Sequence, residues 1–68
     1  MGVQLKVNGE ERQFETALTI RSLLAELGLE PAKIAVERNL EIVPRSQYDT
    51  VAVADGDRLE IVQFIGGG

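Results

Sequence analysis

Val3-Gln4-Leu5-Lys6-Val7 alternates apolar and polar side chains, the period of a strand with one buried face. Asn8-Gly9 follows, and both residues tolerate positive φ, so the pair predicts a type I′ turn. Residues 10–15 return as a second strand, with Phe14 as the core anchor. The chain therefore opens with an antiparallel hairpin. The period then changes between Thr16 and Leu29: Ile20, Leu23, Leu24 and Leu27 fall at i, i+3, i+4 and i+7, one face of a helix. Thr19 suits the N-cap, where its hydroxyl can accept from a first-turn N–H. Gly28 suits the left-handed position that closes a helix, and Pro31 stops any continuation. A helix of about two turns cannot stand alone in water, so it must pack on the sheet.

Beyond Pro31 the pattern is short and strand-like again. Ile34 to Arg38 reads as a third strand, Asn39-Leu40 as a turn, and Glu41-Ile42-Val43 as a fourth strand stopped by Pro44. Arg45 to Asp49 suits a single irregular or 3₁₀ turn, and residues 50–57 a loop ending in the turn signal Asp55-Gly56-Asp57. Arg58 to Ile65 is the last strand, and Gly66-Gly67-Gly68 follows it. The order β-β-α-β-β-β predicts an α+β domain of two layers, a mixed sheet of four to five strands packed on one short helix. If the last strand lies beside the first and parallel to it, the arrangement is the ubiquitin-like β-grasp. That pairing rests on analogy, because alternation does not supply it. Residues 1–65 form the expected single domain and 66–68 a flexible C-terminal glycine tail.

Composition narrows the chemistry. The 68 residues carry a net charge of −4, which argues against nucleic acid and weakly against anionic membrane surfaces. Cys and His are both absent, which removes the thiol nucleophile, the commonest general base and two usual metal ligands. Any sulfur this chain handles must be carried somewhere other than on a side chain. No stretch approaches the ~20 apolar residues of a membrane helix and no signal pattern opens the chain, so the expected location is cytoplasmic. Asp55 and Asp57 flank Gly56 as turn residues, and no metal is expected there. Glu10 and Glu11 read as a solvated strand face, and Tyr48 as a packing residue. Arg45 and Ser46 could contact a partner or pair within their own loop.

The remaining chemistry is the tail. Glycine lacks a Cβ and can pass where side chains would clash. Three extended residues span roughly 10 Å, enough to thread a narrow channel while the folded body stays outside. A glycine run at a terminus is also what a frayed end looks like, but this one directly follows a well-patterned strand. A terminal carboxylate at Gly68 could be activated with ATP as an acyl-adenylate and then converted by a sulfur donor to a thiocarboxylate. The catalytic machinery would then belong to a partner, and the chain itself would be no enzyme. If Leu59 and Ile61 face the core, Val62 and Phe64 lie on another face beside Glu60. With the adjacent Ile65 they form the expected partner interface.

The chain resembles the ThiS family of small sulfur carriers of thiamin biosynthesis. Val7-Asn8-Gly9-Glu10, the helix segment Leu23 to Leu29, Ile42-Val43-Pro44-Arg45-Ser46 and the ending from Asp55 to Gly68 carry the resemblance. It implies that Gly68 is the residue adenylated and converted to the thiocarboxylate. Gly67 would complete the Gly-Gly motif and Gly66 would add reach. It also implies three partners: a ubiquitin-activating-type adenylating enzyme that uses ATP, a cysteine desulfurase or related sulfur donor, and thiazole synthase as acceptor. No bound cofactor is implied. The pattern departs from many relatives at Asn39-Leu40-Glu41, where Gly is usual at the middle position, and at Tyr48, where an indole is frequent. Alternative functions are a sulfur carrier for molybdopterin, cysteine or tRNA thiolation, and a ubiquitin-like modifier joined through Gly68 to partner lysines.

Overall fold

The computed structural model describes residues 2–64. Five strands form one sheet: β1 (Val3–Val7), β2 (Glu10–Phe14), β3 (Ile34–Arg38), β4 (Glu41–Val43) and β5 (Arg58–Gln63). The sheet order is β2-β1-β5-β3-β4. β1 and β5 run parallel, and the other neighbours are antiparallel. Helix α1 (Ile20–Glu26) serves in the crossover, and 3₁₀ turns occupy Pro31–Lys33 and Arg45–Gln47. This is the β-grasp arrangement, with the pairing of first and last strands that analogy suggested. No described helix is long and apolar enough to cross a membrane.

The local signals act as the residue types dictate. Asn8 and Gly9 take φ of 51° and 84°, both in the left-handed region that the type I′ turn requires. Thr19 caps α1, its Oγ1 accepting from the Ser22 N–H at 3.1 Å. At the other end Gly28 has φ 74°, and the Leu29 N–H reaches back to the Leu24 carbonyl at 2.8 Å. Gly28 also donates to the Ala25 carbonyl at 3.1 Å, which completes a Schellman closure.

The core lies between α1 and one face of the sheet. Leu5, Ile20, Leu23, Leu24, Ile34, Val36 and Leu59 are closed to solvent, and Phe14, Leu27 and Ile61 pack half-buried at its margin. Tyr48 is buried, the packing role expected of it. Arg45 pairs within the fold: its guanidinium donates to the Pro31 carbonyl at 3.1 Å and the Ile34 carbonyl at 3.2 Å, tying the second 3₁₀ turn to the entry of β3.

Candidate functional site

The strand that leads to the glycines is the central strand of the sheet. β5 lies between β1 and β3, and its first half is held on both sides. Leu59 is paired with Val7 of β1 and with Arg38 of β3, and its side chain is closed to solvent. On the β3 side pairing continues to Ile34–Gln63, and the Phe64 N–H then donates to the Lys33 carbonyl at 2.8 Å. β5 itself ends at Gln63, one residue before Phe64. The last expected strand residue, Ile65, and the tail glycines Gly66, Gly67 and Gly68 lie outside the described residues, as does the expected domain boundary between 65 and 66.

Two polar groups set where β5 begins and how it continues. Asp57, just before the strand, is buried. Its carboxylate accepts from Arg38 Nε at 2.7 Å, Asn39 Nδ2 at 3.0 Å and the Ala54 N–H at 2.7 Å. Burial pushes this carboxyl up, but the Ala54 N–H, the Arg38 guanidinium and the Asn39 amide together hold it below its ordinary value. Asn39 also accepts from the Arg58 N–H at 2.9 Å, so the β3–β4 turn and the start of β5 are locked together. This explains Asp57 without a metal, and no metal-ligand cluster is present among the described residues.

Asn8 acts further along. β1 turns away at the hairpin after Val7, but the Asn8 side chain takes its place beside β5. Its Oδ1 accepts from the Ile61 N–H at 2.7 Å and its Nδ2 donates to the Ile61 carbonyl at 3.1 Å. A carboxamide has one donor and one acceptor spaced like a peptide group, so it continues the ladder for one more residue. The sequence marks Asn8 only as a turn residue; its second role depends on β5 lying alongside.

The expected partner surface is open where it is described. Val62 and Phe64 are 58% and 55% exposed, while Leu59 and Ile61 turn to the core side. Strand register adds neighbours that sequence reading missed. Val62 pairs with Ala35, and in the next rung Glu60 pairs with Glu37 and Glu37 with Ile42. Ile42 and Leu40 are 75% and 78% exposed. Ile42 was discoverable from its alternation with the buried Val43, but its place on the same sheet as Val62, level with Glu60 two strands away, needed the order β5-β3-β4. Leu40 sits at φ 72°, a conformation that suits glycine and costs a γ-branched residue about 1–2 kcal/mol. The outer sheet face thus carries apolar side chains around a pair of carboxylates, with Val62 and Phe64 toward the end of β5 and Ile42 and Leu40 toward its start.

The chain matches the family model described as ThiS family over residues 5–68. It is 42% identical over 65 residues to the sulfur carrier protein ThiS of Bacillus subtilis, covering 94% of this chain and 98% of that one. It is 62% identical over 66 residues to a thiazole synthase of Paramagnetospirillum magneticum, but spans only 20% of that protein's length. Among solved structures, the thiamine biosynthesis protein ThiS from Geobacter metallireducens is similar with a TM-score of 0.84 and 33% identity. That match covers 97% of this chain and all of the other.

Proposed function

Because the chain belongs to the ThiS family, we propose that it is a sulfur carrier whose Gly68 carboxylate bears the sulfur used to form the thiazole of thiamin. The observation that carries this reading is the family match through residue 68, which takes in the whole tail. The fold supports it. β5 is anchored at Leu59, continued by Asn8 at Ile61 and paired to β3 up to Gln63, so the strand that precedes the tail in sequence is held within the sheet.

The chemistry proposed is acyl activation by a partner. A Gly68 carboxylate oxygen attacks the α-phosphorus of ATP and pyrophosphate leaves. A sulfur nucleophile, supplied from cysteine through a desulfurase, then attacks the acyl carbon. The nucleophile is the outer sulfur of a persulfide: AMP departs to leave an acyl disulfide, and a thiol then attacks the donor-side sulfur, so that the donor leaves as a disulfide and the thiocarboxylate is released. The protein is a co-substrate here and its partners are the enzymes. Similarity to a segment of a protein named thiazole synthase supports thiazole synthase as the acceptor. The proposed location is the cytoplasm, where ATP and cysteine are at hand.

The test is intact mass. The chain is incubated with ATP, an adenylating enzyme and a sulfur source, and the expected gain is the difference between sulfur and oxygen, located at Gly68. No gain with partners that modify another family member would overturn the reading. Lysine conjugates in place of the gain would support the modifier alternative.

A further inference from the structure

The backbone of β5 alternates the side to which its peptide groups point. The Arg58 carbonyl accepts from Asn39 N–H at 2.8 Å and the Phe64 N–H donates to Lys33, so even-numbered residues face β3. The Leu59 carbonyl accepts from Asn8 N–H at 2.9 Å, and Ile61 bonds the Asn8 side chain through both its peptide groups. Odd-numbered residues therefore face β1. Gln63 is next in that series, but β1 has already left the sheet at the hairpin. Its N–H and C=O point to the same side as those of Ile61 and find no partner among the described residues.

Beside this open edge lies a groove of about 270 Å³. Leu27 and Leu29, just after α1, and Ile61 of β5 supply its half-buried apolar wall. Asn8 also lines it. Arg12, ion-paired with Glu10 at 3.8 Å, adds a charged part of the lining. One strand residue, paired to Gln63, would place its side chain against that wall. The Asn8 carboxamide already shows that this edge accepts a peptide-like group at Ile61.

We infer that the open edge of β5 at Gln63 takes an extended backbone segment of the adenylating enzyme, added beside the strand that leads into its active site. The inference rests on the sulfur-carrier reading and names how the same partner grips the carrier. Two backbone bonds at Gln63 would set the direction of the strand one residue before Phe64. The groove would accept one apolar side chain of the added segment. Extended main chain is the occupant because the unmet groups are a peptide N–H and C=O spaced for a strand.

Gln63→Pro tests this directly. Proline removes the Gln63 N–H, which no described residue uses, and proline is tolerated where a strand N–H faces solvent. Wild type and Gln63→Pro are compared by thermal unfolding, by affinity for the adenylating enzyme and by hydrogen exchange. The expected result is a folded variant that binds the enzyme about tenfold more weakly, since a partner carbonyl is left unpaired. In wild type the Gln63 amide should exchange freely alone and become protected in the complex. Should Gln63→Pro unfold, the wild-type exchange result decides by itself. A Gln63 amide that stays unprotected in the complex, or a folded variant that binds equally well, overturns the inference. Protection that grows with carrier concentration alone, marking a second copy, or that needs thiazole synthase, also overturns it. If wild type gains no sulfur at all, both this inference and the sulfur-carrier reading fall; if it gains sulfur with Gln63 unprotected, only this one does.

Discussion

Replacing Asn8 by glycine separates its two roles. Glycine accepts the φ of 51° at this position, so the hairpin turn survives. The side-chain bonds to Ile61, at 2.7 and 3.1 Å, disappear. A net hydrogen bond contributes about 0.5–1.5 kcal/mol, and exposed bonds such as these lie at the low end, so the pair amounts to about 1 kcal/mol. Added backbone freedom costs about 0.5 kcal/mol more. For a domain of this size each kcal/mol moves Tm by about 4–8 °C, giving a fall of about 6–12 °C. Asn8→Asp is the companion variant. It retains the turn and the acceptor for the Ile61 N–H, but it loses the donor and sets a carboxylate beside the Ile61 carbonyl. Amide hydrogen exchange reads the local effect. In Asn8→Gly the Ile61 amide should lose protection by about fivefold beyond what the α1 amides lose, because β5 can open there without global unfolding. Equal losses at Ile61 and at the Leu27 amide of the helix would refute the argument, since Asn8 would then act on the whole fold and not on β5.

Two further outcomes follow from the site. The folded Asp57 carboxyl titrates below its ordinary 3.8, so its stabilisation is complete above that value and is lost as pH falls through the folded pKa. Asp57→Asn should therefore be destabilised at neutral pH, with the gap to wild type in urea midpoint narrowing once pH drops below 3.8; a gap constant down to strong acid would contradict the linkage. Replacing both Val62 and Phe64 with serine removes exposed apolar surface, so stability should change by no more than about 1 kcal/mol. Affinity for the adenylating enzyme should fall at least about tenfold if this face docks; unchanged affinity, read by titration calorimetry, would remove it from the interface.

Most of the local structure was legible because each piece depends on near neighbours in sequence. The Asn8-Gly9 turn, the Thr19 cap and the Gly28 closure follow from backbone preferences at single residues. The alternation of Val3, Leu5 and Val7 follows from the period of a strand, and all three are buried. Element ends moved by only a residue or two: β2 stops at Phe14 and β5 at Gln63. The first 3₁₀ turn, Pro31–Lys33, was not anticipated, because proline signals where a helix must stop and not what replaces it.

The sequence by itself determined the kinds of element, their order, the inward faces and the absence of Cys and His. It also set the three glycines two residues beyond the segment that forms β5. Only the tertiary structure decided what surrounds that strand. Asp57 looked like half of a turn signal, and it is a buried carboxylate satisfied by Arg38, Asn39 and Ala54. Asn8 looked like a hairpin residue, and it is also the partner of Ile61, 53 positions away. Ile42 lies on the same sheet as Val62, level with Glu60, only because β3 lies between β4 and β5. The physical reason is the same in each case. Propensity and periodicity act over a turn or two of chain, whereas a buried charge, an unpaired peptide group or an apolar patch is defined by groups that folding brings together from distant segments.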